Sequence, residues 1–262
     1  MKYDAGAAAY DRLTGRWSRL YAPALLEAAS SSSRSSVLDL ATGTGDAALL
    51  AGQSVESAGH VIGVDISVPM LQVAASKSLT SKNVSFMAAD AMMLPFGNGT
   101  FDIVICQFGL MFFPDRVAAL AETRRILRPG GRVALTVWGS PDQAPFAGIM
   151  ARALGEVLPV ARDELLLPFA LANPAEVLRL LESAGFHGNH VKRETRDAHF
   201  ESAADFLEPY EQGGGRLGQA YLQLTPDART VVREGVLTQL AGFTQSDRIT
   251  MEVLAYLASG VA

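Results

Sequence analysis

The chain has 262 residues, enough for one large domain or a core with added segments, and its 49% hydrophobic and 19% charged residues are ordinary for a globular enzyme. A formal net charge of -5 argues against nucleic acid or an anionic membrane surface as the main partner, and the single cysteine excludes an internal disulfide framework and a cysteine-based metal site. No apolar run approaches the ~20 residues needed to cross a bilayer, and Met1 to Asp4 has no signal-peptide pattern, so a cytoplasmic protein without membrane insertion is expected.

Residues 1–35 read as a helical lid segment. Tyr10 to Ser18 lead into Leu20, Tyr21, Ala24, Leu25 and Ala28 at helical spacing, and the serine-rich run Ser30 to Ser36 is a solvated linker. Apolar β-type runs then alternate with helical patterns, the signature of crossover units and a parallel sheet. The first strand, 37–41, carries Asp39 and breaks into Ala41-Thr42-Gly43-Thr44-Gly45, with a helix expected over 46–57. A glycine loop at a helix N-terminus suits a polar or anionic ligand approached closely by backbone.

Val61 to Ile66 is a second buried strand containing Asp65, with Ser67 placed to cap the next helix and Pro69 in its first turn. Val84 to Asp90 is a third, also ending in an acid. Strand Phe101 to Gln107, with Cys106 as a core residue, leads to the aromatic loop Phe108 to Phe113. Asp115 caps a helix running to Leu127, and Pro129-Gly130-Gly131 stops it and starts strand Arg132 to Trp138. This makes 36–139 a core, while 140–262 holds further strands and helical insertions at about 140–172 and 201–247. Asn173-Pro174 and Thr225-Pro226 open helices there, Gly213 to Gly215 is a break, and strands are expected near His190 to Phe200 and Ile249 to Leu257.

Two ligands compete for the glycine loop. Gly43-x-Gly45-x-x-Ala48 with Asp65 twenty residues on fits a dinucleotide, which leaves an NAD-dependent oxidoreductase open. Asp39 beside the loop is unwelcome next to a pyrophosphate and welcome next to an amino group. Val37 to Gly45, Val61 to Ser67, Ala89 to Phe96, Phe101 to Val104 and Leu127 to Arg132 together resemble the ordered motifs of class I S-adenosylmethionine-dependent methyltransferases. Within that family the chain is most similar to the ubiquinone and menaquinone biosynthesis branch. The motifs span about 36–138.

The resemblance implies a seven-stranded, Rossmann-like, mostly parallel α/β sheet flanked by helices, with one antiparallel strand at Ile249 to Leu257. S-adenosylmethionine is the implied cofactor. Asp39 and the backbone of Ala41, Gly43 and Gly45 would surround its methionine part, with Gln107 beside the amino group and Tyr10 closing over it. Asp65 would take the ribose hydroxyls, Ile66 and Met70 would pack near adenine, and Asp90 with the Ala91 amide would read its edge. The sequence departs from the family pattern at Ala41, where many relatives have glycine. It also departs at Leu110-Met111-Phe112-Phe113, where relatives often have Leu-His-His.

An activated methyl needs mainly an aligned acceptor and a dry site. The acceptor pocket is expected among Phe108, Met111, Phe112, Trp138, Phe146, Phe206 and Tyr210, beyond the ends of strands four and five, for a small aromatic or heterocyclic acceptor. No catalytic base stands out. His199 is the least unlikely of the four histidines, His60, His187, His190 and His199. The lack of a base also leaves open a non-catalytic cofactor-binding regulator or partner subunit.

Overall fold

The computed structural model describes residues 6–30, 35–55, 59–158, 162–246 and 248–262. The end of the expected 46–57 helix and the middle of the serine run lie outside them. In chain order the elements are α1 (Ala7–Ala29), β1 (Ser36–Leu40), α2 (Asp46–Ser54), β2 (His60–Asp65), α3 (Val68–Lys77), β3 (Val84–Ala88), β4 (Phe101–Gln107), α4 (Arg116–Ile126) and β5 (Leu127–Trp138). The second half contributes α5 (Pro145–Val157), α6 (Arg162–Leu166), α7 (Pro174–Ser183), β6 (His187–Phe200), α8 (Ala203–Glu211), α9 (Gly215–Leu222), α10 (Pro226–Leu240), β7 (Thr244–Gln245) and β8 (Arg248–Val261).

One sheet runs β3-β2-β1-β4-β5-β8-β6, with the short β7 paired to β8. The first five strands pair in parallel, and β8 enters antiparallel between β5 and β6. Every residue of β1 is buried, as expected for a strand covered by helices on both faces. The order reverses direction between β1 and β4, which opens a crevice at the C-terminal ends of those strands.

Helix starts follow the sequence signals. The Ser67 hydroxyl accepts from the Met70 amide, Asp115 from Ala118, Asn173 from Ala175 and Thr225 from Ala228. Two expectations need correction. Strand β5 begins at Leu127, before the Pro-Gly-Gly run: Leu127 stands opposite Phe101 and the ladder resumes with Arg132 opposite Ile103. Residues 128–131 therefore bulge out, with Gly130 at φ 78° and its amide donating to the Ala262 carbonyl. The other concerns α1, whose Leu20 is exposed although its spacing placed it inward.

Helix α1 is also more than a lid. Its C-terminal half, through Ala22, Leu25, Leu26 and Ala29, packs with Val37, Ala47, Ala51 and Ile105 in the core. Its N-terminal half reaches the crevice, and its Asp11 pairs with Lys77 of α3 at 2.8 Å, which also pairs with Asp46 of α2 at 2.9 Å. Arg16 grips Asp205 of α8 with two nitrogens and also donates to the His199 carbonyl at 3.2 Å. This pairing holds the Asp205 carboxyl below its usual range. The insertion is thereby fixed to the helix that covers the crevice.

Candidate active site

A cavity of about 320 Å³ opens at the strand ends, and a smaller one of about 20 Å³ adjoins it, sharing Tyr10, Thr14, Ala41, Gly43 and Gln107. Parallel pairing in register brings the residues after β1, β2, β3, β4 and β5 to one edge although they are scattered along the chain. The large cavity has a polar half beside β1 to β3 and an aromatic half beside β4 and β5.

The polar half is organised by two carboxylates. Asp65 Oδ2 accepts the Gly43 amide at 2.9 Å and Oδ1 accepts the Ser67 amide at 2.9 Å, so this side chain fixes the glycine loop against β2. Burial raises its pKa, and the amides of Ser67 and Gly43 oppose that rise. Asp39 is 1% exposed and lines the smaller cavity. Its Oδ2 accepts the Thr42 hydroxyl at 2.6 Å, while Oδ1 is buried with no hydrogen-bond partner among the described residues. Burial pushes its pKa up to about 7, with the Thr42 hydroxyl and, more loosely, the Ala48 amide pulling the other way.

Gly43 at φ 55° is the close approach of the loop: a Cβ built there meets only the Tyr10 ring, at 3.7 Å. Ala41 also adopts a left-handed φ of 57°, a conformation that favours glycine and costs an L-residue ~1–2 kcal/mol. Asp90 Oδ1 accepts the Met92 amide at 2.9 Å and turns the chain so that Asp90 and Ala91 face the cavity. Ile66, 55% exposed, stands on the rim, and Met70 lies buried behind it.

The aromatic half begins at Phe108, which follows β4 at φ 54° and is held there because its amide donates to the Thr136 carbonyl at 3.0 Å. Its ring stacks on Trp138 with centroids 3.5 Å apart and planes at 7°. Phe146 packs against Trp17 at 4.0 Å, and the Tyr210 hydroxyl donates to the Phe146 carbonyl at 2.9 Å. Burial raises the Tyr210 pKa far above its ordinary value, so this phenol stays neutral. Phe112 completes the wall. Cys106 is buried with its thiol pushed up to about 12, an inert core group.

Four expected site residues do not line either cavity. Gly45 does not line it: at φ 85° it starts α2, and a Cβ there would lie 2.8 Å from Ala74 Cβ and 2.9 Å from the Phe86 ring, so its smallness serves helix packing. Met111 and Phe206 are fully buried and line neither cavity, Phe206 packing on Phe200 and Tyr210. His199 is exposed on β6 and bonds the Thr250 hydroxyl at 3.1 Å, because alternation on the strand turns Phe200 inward and His199 out. It is not placed to act as a base.

Sequence reasoning missed Leu13, Thr14 and Trp17 of α1, and Gly214 to Leu217 at the α8–α9 turn, all of which line the cavity. The glycine run was visible as a break, but nothing local shows that it turns over the site.

The sequence model of the ubiE/COQ5 methyltransferase family matches residues 14–163, more than half of the chain. The chain belongs to this family. It is an S-adenosylmethionine-dependent methyltransferase, which removes the oxidoreductase and the pure binding protein as its description. A demethylmenaquinone methyltransferase of Staphylococcus aureus is 33% identical over 166 residues, 59% of this chain and 69% of the relative. Among solved structures, the YcgJ protein of Bacillus subtilis superposes with a TM-score of 0.61 at 20% identity, covering 93% of this chain and 98% of that one. A phosphoethanolamine N-methyltransferase 2 of Haemonchus contortus, complexed with phosphomonomethylethanolamine and S-adenosylhomocysteine, gives 0.62 at 20% identity over 99% of this methyltransferase and 57% of its own length. These structural likenesses carry the fold and not the acceptor.

The residues present suit S-adenosylmethionine. The buried, unpartnered Asp39 Oδ1 in the small cavity is what an ammonium group would satisfy. Gly43 leaves room for close contact, and Asp65 and Asp90 line the large cavity, where a diol and an adenine amino group could donate to them.

Proposed function

We propose that this methyltransferase transfers a methyl group to a small, apolar, aromatic or heterocyclic acceptor held against Phe108, Trp138 and Phe146, chiefly by orientation. When bound, S-adenosylmethionine supplies a sulfonium methyl that is already activated for transfer. Asp39 and Gln107 bind the amino-acid end, the Gly43 backbone and Tyr10 enclose it, Asp65 takes the ribose hydroxyls, and Asp90 with the Ala91 amide takes the adenine edge. The stacked Phe108 and Trp138 rings orient a flat acceptor, and the α1, α5 and α8 walls exclude water.

The observation that supports this reading is the division of one cavity into a carboxylate-lined half and an aromatic half, meeting at Gln107 and Phe108. At about 320 Å³ the cavity sits at the small end of ligand sites. The described parts of the expected lid and insertions supply the cover, through Tyr10 to Trp17, Phe146, Pro168, Tyr210 and Gly214 to Leu217.

The test is methyl transfer from labelled S-adenosylmethionine to 1,4-dihydroxynaphthalene, a tail-less ring suggested by the name of the Staphylococcus aureus relative, and to smaller phenols and N-heterocycles. Label in an organic-extractable product, with one S-adenosylhomocysteine formed per methyl, supports the reading. Transfer only to large or non-aromatic acceptors would sink it.

A further inference from the structure

We propose that Arg216 is the acceptor-recognition residue of this site and that the acceptor it selects carries an oxygen anion. The proposal rests on the assignment of the aromatic half to the acceptor. Among the described residues that line the large cavity, the carboxylates are Asp65 and Asp90 in the polar half, and the sole cationic side chain is Arg216. Its side chain is 26% exposed, and as the one cation among these residues it is the group that would distinguish anionic from neutral ligands.

The chain brings Arg216 there by close backbone packing. Gly213 at φ 84° and Gly215 at φ 64° shape the turn between α8 and α9, and a Cβ on Gly214 would lie 3.2 Å from the Ala9 carbonyl. The turn is thus pressed onto the first turns of α1, with the Tyr10 ring 3.5 Å from a Cβ built on Gly215. Among the described residues Arg216 makes one ion-pair contact, with Glu164 at 3.7 Å, whose side chain is 79% exposed. Such a contact holds a guanidinium weakly and leaves it able to exchange partners.

A second donor points the same way. Trp17 is 1% exposed and lines the cavity, and its indole N–H has no acceptor among the described residues. A buried donor without an acceptor is uncommon and is met when a ligand supplies one. The Tyr210 hydroxyl already donates to the Phe146 carbonyl, and Thr14 and Gln107 also line the cavity. Among the described residues that line the cavity, none beside these aromatic rings is a histidine or carboxylate placed to act as a base.

An acceptor that arrives ionised needs no base. In transfer to its oxygen, an oxygen lone pair bonds the methyl carbon, the S–CH3 electron pair remains on sulfur, and the sulfonium and the anion both become neutral. No proton has to be placed.

The test is calorimetric binding to the full chain saturated with S-adenosylhomocysteine, using 2-naphthoate, its neutral isostere 2-naphthamide and the cation 2-naphthylmethylammonium. The anion is expected to bind at least about tenfold tighter than the amide, the scale of one charge-assisted hydrogen bond. Arg216→Gln should remove that preference while leaving the amide within about twofold, and Glu164→Gln should leave anion binding equal or tighter. Trp17→Phe, which keeps the ring and removes the N–H, should weaken both oxygen-bearing ligands. Equal affinities, a preference for the ammonium, no binding of the anion, or a preference that survives Arg216→Gln would each overturn the proposal. Failure of S-adenosylhomocysteine itself to bind would instead remove the cofactor assignment, so the two failures are separable.

Discussion

Asp39 is the residue whose setting says most about the ligand. A carboxylate in the buried β1 strand is disfavoured as an anion, and burial pushes its pKa up to about 7. Between about pH 4 and pH 7 the folded state holds a proton that the unfolded state has lost, so this group's contribution to stability falls as pH rises through that window and is level above it. An ammonium beside Oδ1 reverses the preference. Binding of S-adenosylhomocysteine at pH 6 should therefore release most of a proton from this site and far less near pH 8. Calorimetry in buffers of different ionisation enthalpy reads the release, and Asp39→Asn should abolish it. Asp65 fixes the loop and faces the cavity, so Asp65→Ala should weaken cofactor binding by ~1–3 kcal/mol, and an unchanged dissociation constant would remove it from the site. Both acids were legible in the sequence as strand-end acids. The reassignment of Gly45 to packing was not, because it depends on Ala74 and Phe86 from other elements.

At the scale of elements, α2 and the turn over the site depend on missing side chains. Gly45→Ala forces a left-handed Cβ into Ala74 and Phe86, which should cost ~1–3 kcal/mol, seen as a lower denaturation midpoint with an unchanged slope. A variant as stable as the wild type would show that α2 can shift away. Helix caps and β8 were legible because local patterns specify them: a capping residue before a helical run, and an apolar run of β type. Strand β5 was misjudged at its start because its first residue pairs with Phe101, and only pairing reveals a bulge. The same limit applies to His199, whose side depends on the register of β6 against β8, where it faces Thr250.

For the whole molecule, ligand binding is a stability measurement. S-adenosylhomocysteine at a hundred times its dissociation constant should add ~2.7 kcal/mol and raise Tm by roughly 5–10 °C, while NAD at the same concentration should leave Tm unchanged. A rise with NAD alone would contradict the site as described. The sequence by itself determined the alternation of strands and helices and the acids and glycines at the strand ends, because these follow from short-range pattern and from spacing within single crossover units, and the cofactor was implied by the family resemblance that those motifs carry. Only the tertiary structure decided which aromatics face the cavity, with Phe108 and Trp138 in and Met111 and Phe206 out. It alone brought Trp17 and Arg216, 199 positions apart, to the lining of one cavity. Side chains that belong to distant helices meet through packing around a shared core, and no local period in the chain encodes that meeting.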